Sequence, residues 1–275
     1  MNQSERAAYF RQLHSKRPLV LPNAWDAASA RIIELAGAPA IATTSAGISW
    51  MFGKSDGQKL RREEMLQLIR NIVQTVKVPV TADIEGGYGS GSAHDVAEMV
   101  QALIAIGVAG INLEDSPGRD GEVLLAPEPH AERIHAAREA ASRHGGDLVI
   151  NARTDVYLFE VGAPETRFEA AAKRADLYRA AGADCLFVPG IIDADTIMTL
   201  VRAIDGPLNI MAMPGAPSIA ELGKLGVARV SVGPAIALAA LGATRRAASE
   251  LLEQGTYQAL ENGVPFSEAN NLFAR

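Results

Sequence analysis

Three apolar stretches of this 275-residue chain end in side chains that could do chemistry together. They end in Thr81-Ala82-Asp83-Ile84-Glu85, Asn112-Leu113-Glu114-Asp115 and Asn151-Ala152-Arg153-Thr154-Asp155. If these stretches are β-strands, alternate residues share a face. One face then collects a set of charged side chains, namely Asp83, Glu85, Glu114 and Arg153.

Such a set predicts a metal site. Three neighbouring carboxylates repel one another unless a cation or a proton intervenes, and Arg153 alone cannot neutralise all three. All-oxygen ligation without a His or Cys cluster favours Mg2+ or Mn2+ over zinc. We therefore expect Mg2+ or Mn2+ near Asp83, Glu85 and Glu114. Taken singly, each carboxylate could equally cap a helix or form a surface ion pair.

Other polar residues have two interpretations each. The small-residue turn Thr43-Thr44-Ser45-Ala46-Gly47 exposes N–H groups that could cradle a carboxylate or phosphate, or it is a plain polar turn. Asp56 is an acid close to the same loop or a turn residue. Asn209 contacts a ligand or is a satisfied core amide. His130 and His135 are spaced neither three nor four residues apart, so they are interpreted as solvated helix-face residues rather than metal ligands, and Cys185 is interpreted as a core residue.

The elements that must position these residues follow a repeating pattern of an apolar run, a turn and an amphipathic stretch. Eight such runs occur, at residues 19–21, 40–44, 79–83, 110–114, 148–152, 185–188, 208–212 and 229–232. Eight strands alternating with helices predict a (β/α)8 TIM barrel, whose site lies at the C-terminal ends of the strands. A doubly wound open sheet is the alternative, although no G-x-G-x-x-G follows the first run. We expect one domain over residues 1–275, with 234–275 as a C-terminal helical extension.

Composition excludes several classes of protein. The formal charge of −6 argues against a nucleic-acid surface. No secretory h-region is visible, and no uncharged run reaches a membrane span of roughly 20 residues, so no membrane partner is expected. A single cysteine indicates a reducing cytoplasm. The sequence contains neither a G-x-S-x-G elbow nor a phosphate-binding G-x-x-x-x-G-K-[ST] loop, so the usual hydrolase and nucleotide-phosphate-binding functions are not expected.

In combination, these motifs resemble the isocitrate lyase and phosphoenolpyruvate mutase superfamily. The likeness runs from Leu19-Val20-Leu21-Pro22-Asn23-Ala24-Trp25-Asp26 through the Thr43 turn, Asp83-Ile84-Glu85-Gly86-Gly87-Tyr88-Gly89, Glu114-Asp115 and Ala152-Arg153-Thr154-Asp155. The resemblance implies a barrel whose eighth helix is exchanged between subunits of a homodimer or homotetramer. It also implies a 2-oxo acid substrate whose bond cleavage passes through a pyruvate-like enolate.

The resemblance further implies roles for individual residues. The N–H groups of Ser45, Ala46 and Gly47 would bind a substrate carboxylate, Arg153 would hold substrate oxygens, and Asp56 would lie beside the site. Arg153, Asp56 and Glu114 are thus the expected catalytic residues, and Asn209 is a further expected substrate contact.

The sequence also departs from the lyase branch of that superfamily. After Glu114-Asp115 it reads Ser116-Pro117-Gly118-Arg119-Asp120-Gly121-Glu122, where the lyases carry a Lys-Lys/Arg-Cys-Gly-His element whose Cys is the acid. The expected function is Mg2+-dependent C–C cleavage of an oxaloacetate-like 2-oxo acid, of the decarboxylase or retro-aldol type. The alternatives are a phosphonate P–C mutase or hydrolase, for which Arg119 is the visible candidate side chain, and a non-catalytic 2-oxo acid-binding protein.

Overall fold

The apolar runs are β-strands, and nearly all of their residues are buried. The structure, a computed structural model, describes residues 1–15, 18–118, 123–143 and 147–274. The strands are β1 (Leu19–Leu21), β2 (Asn23–Ala24), β3 (Ile41–Thr43), β4 (Val80–Asp83), β5 (Gly110–Glu114), β6 (Val149–Arg153), β7 (Cys185–Phe187), β8 (Leu208–Met211) and β9 (Arg229–Ser231).

These strands form a closed parallel ring. Each pairs with the next in order from β2 to β9, and β1 pairs with β9. Only Pro22 separates β1 from β2, and proline has no N–H to donate to a ladder. The two segments are therefore halves of one barrel strand, and the ring contains eight such strands. The predicted (β/α)8 barrel is confirmed.

Helices follow the strands as the periodicity predicts. They are α1 (Gln3–Leu13), α2 (Ala27–Leu35), α3 (Ser45–Met51), α4 (Arg62–Thr75), α5 (Ala93–Ile106), α6 (Pro127–Arg143), α7 (Arg167–Ala180), α8 (Ala194–Ala203), α9 (Ile219–Leu225), α10 (Ala235–Glu253) and α11 (Phe266–Asn271). Ser92 and Ser218 begin α5 and α9 with capping boxes, and Gly107 and Gly226 end them with φ of +99° and +94°. A left-handed residue is what a helix C-terminus of this kind requires, and glycine adopts it without strain.

Helix α1 lies beneath the ring at the N-terminal ends of the strands, and the sequence pattern did not indicate it. Its Phe10 and Leu13 are buried in one apolar cluster with Leu19, Ala40 and Val149. The main core lies between the strands and the outer helices. With α1 covering the lower end, ligands have access from the upper end.

The C-terminal segment is largely exposed. In α10 only Ala237 is buried, whereas Leu238 is 51% exposed and Leu252 86% exposed. Phe266, at the start of α11, is 85% exposed. No helix in the described part of the chain is both long and apolar enough to span a membrane.

Candidate active site

The three strand ends with charged residues are neighbours in the ring. Asp83 of β4 pairs with Asn112 of β5, which pairs with Asn151 of β6, and Glu114 pairs with Arg153 two residues further along. The structure therefore brings Asp83, Glu114 and Arg153 together at the upper mouth of the barrel, where such barrels carry their sites.

Asp83 is buried, and its carboxylate has one free oxygen. The Asp83 amide donates to Thr43 Oγ1 at 2.8 Å, and Asp83 Oδ2 accepts from the Ser45 amide at 3.1 Å. Asp83 Oδ1 is also buried but has no hydrogen-bond partner among the described residues. Since a buried polar atom normally has a partner, the free Oδ1 suggests a missing ligand.

Glu85 reaches the mouth by a route that strand alternation does not provide. Strand β4 ends at Asp83, and Glu85 adopts a left-handed φ of +50°. Its Oε1 accepts from the Tyr88 hydroxyl at 2.8 Å, and its Oε2 accepts from the Gln58 amide. Burial, together with the charge of Asp56, raises the pKa of Glu85 to about 7. This carboxylate is thus half-protonated near neutral pH unless a cation neutralises the mouth.

Arg153 is held between two carboxylates. Its Nη1 lies 2.8 Å from Glu114 Oε2, and its Nε donates to Asp155 Oδ1 at 2.6 Å. The guanidinium also lies over the Phe187 ring, 5.6 Å from the ring centre. Burial raises the pKa of Glu114 well above its usual range and that of Asp155 to about 6, against the opposing effect of Arg153. One cation therefore does not offset the negative charge at the mouth.

Asp56 stands at the rim of the same mouth, where solvent reaches part of the residue. Partial desolvation of the carboxylate and the charge of Asp83 raise its pKa, while the Gly57 amide, Arg153 and the Ser45 hydroxyl act in the opposite direction. Asp56 thus belongs to the same electrostatic cluster as Asp83 and Arg153.

The Thr43 turn continues into the first turn of α3. Thr44 is the N-cap, and its Oγ1 accepts from the Gly47 amide at 3.5 Å. The Ser45 amide already donates to Asp83, as described above. A Cβ on Gly47 would lie 2.9 Å from both Thr44 Cγ2 and Trp25 Cβ, so only glycine fits there. The carboxylate-binding role of Ser45, Ala46 and Gly47 stays a prediction.

Asn209 lies deeper, inside the barrel. It is fully buried on β8, and its Nδ2 donates to Ser231 Oγ at 3.2 Å. Its Oδ1 is unpartnered in the described part of the chain, so it is not a fully satisfied core amide. Arg229, its register partner on β9, is also buried and donates to Asn112 Oδ1 at 3.1 Å. The barrel interior below the mouth is therefore polar.

A buried network behind the mouth was missed at the sequence level. Asp115 Oδ1 accepts from the Asp155 amide at 3.0 Å, and Asp115 Oδ2 accepts at 2.9 Å from both Arg174 and the Tyr178 hydroxyl. The sequence feature that could have indicated this network is Asp155, an acidic residue two positions after Arg153. The interpretation of His130 as solvated is wrong, because it is fully buried with its ring 4.8 Å from that of Tyr178.

The described residues form no ready-made metal cage. Among them, no group of three or more His, Cys, Asp or Glu side chains could hold a metal ion between them. The charges of Asp83 and Glu85 lie near enough to raise the pKa of Glu114. Of the three predicted carboxylates, Glu85 and Glu114 are engaged with protein partners, whereas Asp83 has a buried oxygen without a partner among the described residues.

The segment that replaces the lyase element is described only at its two ends. Residues 119–122, including Arg119 and Asp120, lie outside the described residues. Beyond them, the Leu125 amide donates to the Asp115 carbonyl at 2.9 Å. That bond returns the chain to the end of β5.

Comparison with known proteins gives concordant matches. The family described as phosphoenolpyruvate phosphomutase matches residues 10–252. A crystal structure from Burkholderia cenocepacia J2315, provisionally described as a lyase/mutase, superposes with a TM-score of 0.91 at 39% identity, covering 99% of this chain and 97% of that one. An uncharacterized protein of Mycobacterium tuberculosis H37Rv is 37% identical over 260 residues, 94% of this chain and 93% of the relative. The 2-methylisocitrate lyase of Escherichia coli K12 is 29% identical over 266 residues, 92% of this chain and 86% of that enzyme.

Proposed function

Since the chain belongs to the isocitrate lyase and phosphoenolpyruvate mutase superfamily, we propose that it is a Mg2+- or Mn2+-dependent enzyme that cleaves a C–C bond of a small 2-oxo carboxylate through an enolate. A lyase and a mutase family are among its matches, which supports an enzyme of this superfamily. The bound cation, the substrate class and the type of reaction are what we propose beyond that membership.

The free oxygen of Asp83 carries the proposal. A buried carboxylate oxygen without a donor, next to carboxyls whose pKa values are raised, fits a site that takes up a cation. Mg2+ usually keeps several waters and takes only one or two carboxylates from the protein, so a full cage is not required. Asp83 would ligate the ion, with Glu85 and Glu114 contributing through water. When bound, the ion would polarise the substrate carbonyl as a Lewis acid.

Arg153 would orient the substrate and stabilise the charge that develops on it. Glu114 and Asp155 fix the guanidinium by its Nη1 and Nε edges, which leaves Nη2 for a substrate oxygen. A preorganised cation at a developing enolate oxygen lowers the barrier because it needs no reorganisation during the step.

Ser45, Ala46 and Gly47 would bind the substrate carboxylate through their N–H groups. To do so, the Ser45 amide must exchange its bond to Asp83 Oδ2, and the Gly47 amide its bond to Thr44 Oγ1, for bonds to the ligand. That exchange would release the second oxygen of Asp83 for the cation. Asn209 Oδ1, which has no described partner, would accept a bond from a donor on the bound ligand or its water.

Decarboxylation is the reaction that needs fewest additional groups. In an oxaloacetate-like acid, the C3–C4 bond breaks, its electron pair passes into the enolate, CO2 leaves, and C3 later takes a proton from solvent. No acid is required at the leaving group, which suits a chain without the lyase cysteine. A retro-aldol cleavage would need a base for the substrate hydroxyl, and Asp56, with its raised pKa, is the candidate.

The test is turnover of oxaloacetate with Mn2+, with the products separated by ion-exclusion chromatography so that pyruvate, oxalate and acetate are distinguished. Because Mn2+ alone accelerates this decarboxylation, the reference is the Asp83→Ala protein at the same Mn2+ concentration. We expect pyruvate formation above that reference and its loss with a chelator. Cleavage of phosphonopyruvate without turnover of oxaloacetate would support the P–C alternative. Oxalate binding without turnover of either acid would support the non-catalytic one.

A further inference from the structure

Gln58 joins three separate loops above the candidate site. Its backbone N–H donates to Glu85 Oε2. Its side-chain Oε1 accepts from the Tyr88 backbone N–H at 2.9 Å, and its side-chain Nε2 donates to the Pro117 carbonyl at 2.9 Å. The loop after α3, the loop after β4 and the segment after β5 therefore meet at one residue.

Backbone strain is concentrated at the same place. Gln58, Glu85 and Tyr88 have φ of +57°, +50° and +63°, and Glu160 is the remaining non-glycine residue with a positive φ in the described part of the chain. Left-handed φ is costly for residues with a Cβ and persists where the surroundings over-determine it. The bonds that link these three residues supply that constraint.

The side-chain amide of Gln58 is also closely packed against the two neighbouring loops. A Cβ on Gly86 would lie 2.9 Å from Gln58 Nε2 and 2.9 Å from the Ser116 carbonyl, and one on Gly118 would lie 2.7 Å from Gln58 Nε2. Glycine on both sides allows the amide to fit between the two loops.

Gln58 contacts Glu85 and also lines a surface cavity of about 470 Å3 together with Arg61, Ser90 and Pro117. Glu85 itself is only 2% exposed. Removal of the Gln58 side chain would therefore enlarge a solvent-filled cavity close to this buried carboxylate.

We propose that Gln58 is the positioning residue that holds the Glu85 carboxylate at the mouth and fixes residues 116–118 against it. Gln58 does not face the substrate, so its effect passes through Glu85 and through the segment at Pro117. The inference rests on the proposed function for its link to cation binding. The positioning itself rests on the hydrogen bonds and packing described above.

Two substitutions distinguish the side-chain hydrogen bond to Tyr88 from the one to Pro117. Gln58→Met keeps the length of the side chain and removes both side-chain bonds. Gln58→Glu keeps the acceptor for the Tyr88 amide but places an oxygen against the Pro117 carbonyl. Gln67→Met is the matched control, since Gln67 is exposed on α4 and bonds only Asn71 in its own helix.

The first measurement is amide hydrogen exchange of the metal-free protein. In Gln58→Met we expect exchange at residues 85–91 and 116–118 to be about 10-fold faster or more, the loss of a typical hydrogen bond. In Gln58→Glu only 116–118 should change, and in Gln67→Met neither segment. Exchange at the wild-type rate in both segments of Gln58→Met would overturn the proposal. If Gln58→Met does not fold, an unchanged 116–118 in Gln58→Glu would do the same.

The second measurement is Mn2+ affinity by calorimetry. Gln58→Met should weaken it about 10-fold, and saturating Mn2+ should restore whatever turnover the wild type has, which a general loss of structure would not allow. Unchanged affinity would contradict the link to the cation. A wild type that binds no Mn2+ would contradict the proposed cation site, while hydrogen exchange would still decide the role of Gln58.

Discussion

Glu114 and Arg153 are register partners on β5 and β6, and their side chains meet with Arg153 Nη1 2.8 Å from Glu114 Oε2. Asp155 holds the Nε edge of the same guanidinium at 2.6 Å. Two carboxylates thus fix two edges of a planar group, and a lysine ammonium cannot reproduce that arrangement because it is a point charge.

The first prediction is that Arg153→Lys does not rescue ligand binding. We expect oxalate, a planar dianion that imitates the enolate of a 2-oxo acid, to bind at least about 10-fold more weakly, and turnover to fall by about 100-fold or more. Calorimetry and the oxaloacetate assay measure both quantities. Arg143→Lys, at an exposed ion pair on α6, is the control and should change neither. Wild-type affinity in Arg153→Lys would remove Arg153 from the ligand contacts.

The second prediction is that Asp83→Ala abolishes measurable Mg2+ and Mn2+ binding. Asp83 Oδ1 and Asp155 Oδ2 are the buried carboxylate oxygens at the mouth that lack a partner in the described part of the chain, and Arg153 already holds Asp155 by its other oxygen. Asp195→Ala, which removes an exposed carboxylate of α8, should bind the ions like the wild type. Isothermal titration calorimetry with MnCl2 measures the Mn2+ affinity of both variants. Equal affinity in both variants would place the cation elsewhere.

The sequence predicted the barrel and the positions of its charged residues because both depend on local periodicity. Strand alternation correctly placed Asp83, Glu114 and Arg153 at one mouth. Glu85 was predicted at the mouth for a reason that does not hold, since a left-handed turn rather than the strand places it there.

What the sequence did not predict depends on contacts between distant segments. The Asp115, Arg174 and Tyr178 network joins residues up to 63 positions apart, and Gln58 bonds Pro117 across 59 positions. No spacing rule connects such residues. Burial of His130 was missed for the same reason, since it depends on the packing of α6 against α7, where the Tyr178 ring lies 4.8 Å from that of His130.

The third prediction concerns pH and Glu85. Its pKa is raised to about 7 from an ordinary 4.5, so between these values the folded protein binds more protons than the unfolded chain. The contribution of Glu85 to the free energy of unfolding of the metal-free protein should therefore fall as pH rises from about 4.5 to about 7 and level off above that. Urea unfolding in a chelator measures the slope.

Glu85→Gln should remove this contribution and so make the pH slope of the unfolding free energy less negative, whereas Asp155, with a pKa raised to about 6, and His130, with a pKa lowered to about 4, contribute with opposite signs in both proteins. The glutamine amide can still accept from the Gln58 amide, and the Tyr88 hydroxyl can rotate to accept from the new NH2 group. Mn2+ affinity of the wild type should rise over the same pH range, since the cation and the proton compete for the carboxylates. A slope unchanged in Glu85→Gln would show that Glu85 does not titrate there.

The fourth prediction is a homodimer or homotetramer assembled through α10. This helix leaves most of its residues exposed, including Leu238 and Leu252. Burying large apolar side chains of this kind stabilises association. Light scattering should give at least twice the monomer mass of 29.0 kDa. The double variant Leu238→Glu and Leu252→Glu should shift the mass towards the monomer, and a monomeric wild type would contradict the expected subunit exchange.

The fifth prediction is that isocitrate and methylisocitrate are not cleaved at an enzymatic rate. The chain lacks the lyase cysteine after β5, and neither its single thiol nor the imidazole of His130 is accessible. Cys185 is fully buried on β7, and His130 is fully buried with a pKa lowered to about 4 by desolvation. Loss of a positioned acid costs about 10²–10⁴-fold in rate. Parallel assays of isocitrate and oxaloacetate with one preparation and Mg2+ should therefore show turnover of oxaloacetate alone. Rapid isocitrate cleavage that survives Cys185→Ser and His130→Gln would mean that another group, such as Glu85 with its pKa of about 7, provides the acid.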